Sequence, residues 1–115
     1  MQVPRDATLL RIFIGEDDKA DGRPLYETIV LKAREMHLAG ATVLRGPMGF
    51  GASSRLHTTK ILRLSQDLPL LIEIVDSPEK IEAFLPVLDA MMGSGLVTLE
   101  KVQVLQYGSR QNGPA

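Results

Sequence analysis

Apolar side chains recur at every second position near the start of the chain. Leu10, Ile12 and Ile14 share one face over residues 7–15, while Leu9 and Phe13 flank Arg11 on the other. A two-residue period is that of a β-strand. A strand apolar on both faces is covered on both, by its own helices or by a second subunit. After a polar stretch at residues 16–22, the period lengthens. Leu25, Ile29, Ala33 and Met36 fall on one helical face, and Glu27, Lys32, Arg34 and Glu35 face water. Pro24 suits the first turn and Gly40 a stop, so the pattern predicts a helix over residues 24–39, with His37 beside the negative end of its dipole.

A second strand is predicted over residues 41–44, an extended piece over 61–64, and a third strand over 70–75. Ser77-Pro78-Glu79 then reads as a helix start, with Ser77 as cap and Pro78 in the first position. Ile81, Phe84, Leu85, Leu88 and Met91 form its apolar face. Pro86 lies inside this pattern, where it removes a hydrogen bond and predicts a kink. Gly93-Ser94-Gly95 closes the helix, and residues 97–105 form the last strand. The order β-α-β-loop-β-α-β predicts an α+β fold, the ferredoxin-like βαββαβ sandwich: a four-stranded antiparallel sheet with two helices on one face. Residues 7–108 make one domain, with flexible termini at 1–6 and 109–115. The other sheet face needs a cover, and oligomerisation supplies one.

The chain has 115 residues and no cysteine, which excludes disulfides, thiolate metal sites and a cysteine nucleophile. Its net charge of −1, with acids and bases interspersed, argues against a dedicated nucleic-acid binder. The inner strands also lack the aromatics with which RNA-recognition motifs stack bases. The N-terminus has no apolar segment of the signal-peptide kind and no apolar run reaches a membrane span, so a cytoplasmic location is expected. The acidic turn Glu16-Asp17-Asp18-Lys19-Ala20-Asp21-Gly22 lacks the ligand spacing of a calcium loop, and no metal site is expected.

The stretch with chemistry is Arg45-Gly46-Pro47-Met48-Gly49-Phe50-Gly51, followed by Ala52-Ser53-Ser54-Arg55-Leu56-His57-Thr58-Thr59-Lys60. It misses a phosphate-binding P-loop by one residue, since Ala52 stands where the lysine belongs, and it leads to a strand rather than a helix. No Gly-x-Ser-x-Gly elbow accompanies Ser53 and Ser54. Backbone N–H groups at Gly49, Phe50 and Gly51, with Arg45 and Arg55 nearby, supply the parts of an anion site. A plain bulge with a ligand-free loop accounts for the same residues equally well. Glu73 is the odd member of its strand, and a carboxylate there calls for a ligand, an edge position or an ion pair to a neighbouring subunit.

Arg45-Gly46-x-x-Gly49-Phe50-Gly51, Ser65-x-Asp67-Leu68-Pro69-x-x-Ile72-Glu73-Ile74-Val75-Asp76 and Gly95-Leu96-Val97-Thr98 occur together at a joint spacing. In these motifs the chain resembles the bacterial and archaeal proteins known as domain of unknown function 190, within the PII-like signalling superfamily. The resemblance implies a homotrimer with its sheets facing inward and an adenine nucleotide in the cleft between subunits. Ligand contacts are implied at Thr42, at Gly49, Phe50 and Gly51, and at Glu73 and Val75, with Gly93 and Gly95 in the loop before the last strand. That loop lacks the aspartate and lysine of PII proteins, and Val104 and Gln106 stand where PII has arginines. The resemblance also makes residues 50–60 a T-loop, with Ser53, Ser54, Arg55, His57 and Thr58 meeting a partner such as a membrane transporter or channel. The function expected is a non-enzymatic regulator. The alternatives are a ligand-free accessory subunit of a transporter or channel, and a small enzyme using His57 and Glu73.

Overall fold

The alternation at the start of the chain becomes strand β1 (Asp6–Gly15), in which Leu10, Ile12 and Ile14 are buried. A computed structural model describes residues 3–50 and 67–108. The remaining elements are β2 (Lys19–Ala20), β3 (Arg23–Pro24), α1 (Leu25–Glu35), β4 (Thr42–Arg45), β5 (Pro69–Asp76), α2 (Pro78–Met91) and β6 (Leu96–Gln103). The main sheet has the order β4-β5-β1-β6 with every neighbouring pair antiparallel, which is the ferredoxin-like arrangement expected. The predicted extended piece at 61–64 lies outside the described residues.

Two departures from the sequence reading have local causes. The polar turn carries a small hairpin, β2 with β3, around Asp21 and Gly22, whose φ angles are 51° and 80°. Positive φ at both central residues is the demand of a type I′ turn, which Asp-Gly satisfies. Helix α1 stops at Glu35, four residues short of the predicted end, and His37 rather than Gly40 takes the left-handed conformation, with φ 62°. The N–H of Leu38 donates to the Ala33 carbonyl (3.0 Å) and that of His37 to Arg34 (3.0 Å). This is the Schellman ending, with Leu38 buried behind the last turn.

In α2 the Ser77 hydroxyl accepts from the Lys80 N–H (3.2 Å), so the predicted cap is present with Pro78 in the first turn. The helix runs through Pro86, which is exposed, as is Glu82, whose carbonyl the proline leaves without its helical donor. The core lies between the sheet and the helices. Leu10, Ile12, Ile14, Leu70, Ile72 and Ile74 meet Leu25, Ile29, Ala33, Ile81, Phe84 and Leu88 there.

Candidate functional site

Among the described residues no helix lies on the opposite sheet face, and the register orders that face into rows. Leu44, Leu71, Phe13 and Leu96 form one apolar row across all four strands. The next row is polar: Thr42, Glu73, Arg11 and Thr98. Leu9 lies beyond it between Val75 and Glu100. Arg11 ties the middle together, with Nε donating to Glu73 Oε2 (3.0 Å) and Nη1 to Glu100 Oε1 (3.4 Å). Glu73 thus sits on an inner strand with an ion pair inside its own chain, which removes the edge position considered for it.

One end of the sheet gathers the loops. There β1 and β4 end, while β5 and β6 begin. The Gly46 N–H donates to the Pro69 carbonyl (2.8 Å), and the Glu16 N–H to that of Leu68 (2.8 Å). Asp67 Oδ1 accepts from the Asp17 N–H (2.9 Å), Asp18 Oδ2 accepts from the Gly15 N–H (2.9 Å), and Arg45 pairs with Glu16. Gly46 and Gly49 both pack on the Pro69 ring, where a Cβ would stand 3.0 and 3.1 Å from its Cγ. On the far side of the sheet, Gly95 (φ 132°) lies so close to β1 that a Cβ would sit 2.8 Å from the Phe13 carbonyl oxygen.

The expected ligand residues therefore fall into three groups. Arg45, Gly49 and Phe50 are at the exit of β4; Thr42, Glu73 and Val75 are on the uncovered face; Gly93 and Gly95 are at the entry to β6. Within one chain β4 and β6 are opposite edges of the sheet, so the first and last groups have two strands between them. Gly51 and the loop residues Ser53, Ser54, Arg55, His57 and Thr58 lie outside the described residues. A cleft of about 360 Å³ beside the Gly93-Ser94-Gly95 loop is lined by Leu85, Leu88, Met92 and Val97, with Asp89 at its rim.

The sequence reading passed over Arg11, the hub of the polar row, and Asp76, which closes the opposite end. Asp76 is fully buried and accepts from the Ala39 N–H (2.8 Å) and the Ser77 N–H (2.6 Å). Nearby, Lys80 Nζ donates to the His37 carbonyl (2.7 Å), and the Tyr107 hydroxyl to the Ala39 carbonyl (2.7 Å). Among the described residues no cluster of three or more His, Asp or Glu is arranged to hold a metal, and no helix is long and apolar enough to cross a membrane.

The family model DUF190, "Uncharacterized ACR", matches residues 7–104. The chain belongs to this family. A relative, a "UPF0166 protein" of Aquifex aeolicus, is 40% identical over 97 residues, spanning 84% of this chain and 91% of that protein. The "UPF0166 protein MJ1524" of Methanocaldococcus jannaschii is 34% identical over 99 residues, 85% of this chain and 91% of its own. Among solved structures, this DUF190 chain superposes on CPII of Thiomonas intermedia K12 bound to ADP and bicarbonate. The TM-score is 0.59 at 20% identity, with 88% of this chain and 90% of that one covered. A second CPII structure, described as a nitrogen regulatory PII-like protein bound to ADP, AMP and bicarbonate, matches with TM-score 0.59 at 19% identity over the same shares. At these identities the likeness establishes a shared fold, the PII-like ferredoxin arrangement.

Proposed function

We propose that this DUF190 protein is a PII-like regulator of the cytoplasm rather than an enzyme. It forms a homotrimer with the uncovered sheet faces turned inward. A small ligand, an adenine nucleotide, binds in the cleft between subunits, and the segment after β4 engages a membrane transporter or channel. The observation that carries this reading is the uncovered face. Phe13, Leu44, Leu71 and Leu96 stand in one row with no layer of the described residues over them. Contiguous exposed apolar surface of that kind marks an interaction site. The ligand class is supported by fold likeness to CPII, which has been seen with ADP and AMP. The regulatory step is a population shift: a ligand with higher affinity for one arrangement of the segment after β4 biases the protein toward it.

Two measurements on the purified protein test this. Light scattering coupled to size exclusion should give three times the chain mass. Added ADP or AMP, with and without bicarbonate, should raise the melting temperature, since about 100-fold excess over Kd stabilises the native state by about 2.7 kcal/mol. A single-chain mass, or melting curves unmoved by ADP, AMP and ATP, would overturn the proposal.

A further inference from the structure

Charge on the uncovered face does not balance. Side chains alternate across a strand, so the pairing assigns each charged residue of the sheet to one face. Among the described residues Arg11 on β1, Glu73 on β5 and Glu100 on β6 stand on the uncovered face, to which β4 brings only Thr42 and Leu44. Lys101 and Arg45 belong to the helix face, opposite Thr8 and buried Leu70. One guanidinium therefore answers two carboxylates. It is closer to Glu73, at 3.0 Å, while its contact with Glu100 is 3.4 Å long and leaves that side chain 63% exposed. Glu100 carries the spare charge. Its neighbours across the face are apolar: Leu9, which is buried, and Val75 beyond it. In a single chain this costs little, because water reaches the carboxylate.

We infer that Glu100 makes the trimer proton-sensitive: assembly is tight when this carboxyl is protonated and loosens as it ionises. The inference rests on the inward-facing trimer proposed above. Each face turned inward brings one positive and two negative groups, so three faces bring three and six. The excess is one carboxylate per chain, and no cation among the described residues of the face is left to answer it. Withdrawing a carboxylate from water beside apolar side chains favours its neutral form, and the like charges of the other two copies act in the same direction. The trimer thus holds protons that separated chains release. Assembly strengthens as pH falls and weakens as pH rises, and the dependence fades below about pH 4, where free glutamate is itself protonated. The apolar row of Phe13, Leu44, Leu71 and Leu96 attracts at every pH, while Glu100 sets how strongly the interior resists closing.

Subunit exchange measures this directly. The chain has no cysteine, so E82C, on the exposed side of α2 and across the sheet from this face, takes a single dye. Donor- and acceptor-labelled pools are mixed, and energy transfer grows as trimers dissociate and re-form. Exchange in this labelled parent should quicken about tenfold between about pH 5.5 and about pH 8. With Glu100→Gln added, exchange near pH 8 should be as slow as in the parent near pH 5.5, and should vary less than about twofold over the range. The amide keeps the size of the side chain at an exposed position, and matching circular-dichroism melts confirm that the variant folds. Parent exchange indifferent to pH, or a pH response undiminished by Glu100→Gln, in a protein that light scattering finds trimeric, would overturn the inference and leave the proposed trimer standing. A single-chain mass with no energy transfer at any pH would overturn both.

Discussion

At the scale of single residues, Asp76 and Gly95 show what a linear pattern withholds. Asp76 follows a strand and precedes Ser77-Pro78, and nothing nearby marks its partner at Ala39, 37 positions back. Its fully buried carboxylate satisfies two backbone N–H groups and joins the end of α1 to the start of α2. Asp76→Ala leaves both donors without that acceptor and should cost about 2–3 kcal/mol in urea unfolding. Gly95 and Gly93 read alike in sequence as parts of one helix-ending loop. The structure separates them: a Cβ at Gly95 meets the Phe13 carbonyl and Met92 Cε, whereas at Gly93 it meets nothing within 4 Å. Gly95→Ala should therefore destabilise by about 1–3 kcal/mol. Gly93→Ala should stay within about 0.5 kcal/mol in the same unfolding series.

At the scale of elements, the ends of helices were less legible than their faces. The faces follow from spacing, and Leu25, Ile29, Ala33, Ile81, Phe84 and Leu88 are buried where the period put them. The sequence pattern places the end of α1 at Gly40, because glycine usually takes the left-handed residue of a helix stop. His37 takes it instead, since stopping there lets Leu38 fold back into the core and frees Ala39 to reach Asp76. The cost of the left-handed turn at a histidine is outweighed by a buried leucine and a satisfied carboxylate. Pro86 has no such compensation: it is exposed and takes one hydrogen bond out of α2. Pro86→Ala should stabilise the domain by about 1–3 kcal/mol, seen as a higher urea midpoint with an unchanged slope.

At the scale of the whole molecule, the uncovered sheet face is the main feature, and its rows exist only through pairing. Phe13, Leu44, Leu71 and Leu96 come from four strands and meet by register alone. Under the proposed trimer, Phe13→Lys should reduce the light-scattering mass to one chain while the far-ultraviolet spectrum is kept, because Phe13 is already 38% exposed in the single subunit. A trimeric mass for that variant would place the interface elsewhere.

The element order apart from the β2–β3 hairpin, the ferredoxin-like class and the buried face of each helix and inner strand were legible in the chain alone. These are encoded by periods of two and 3.6, which are local properties of the backbone. It also marked the loop after β4 and the loop before β6 by their glycines, and the joint spacing of motifs by which the chain resembled its family. Tertiary structure alone decided that Glu73 belongs to Arg11, that Asp76 holds the turn at Ala39, and that the two glycine loops stand at opposite edges of one sheet. Those are contacts between residues 37 to 62 positions apart, or between edges that no chain segment joins. Their partners are chosen by strand order and register, which side-chain periodicity does not specify.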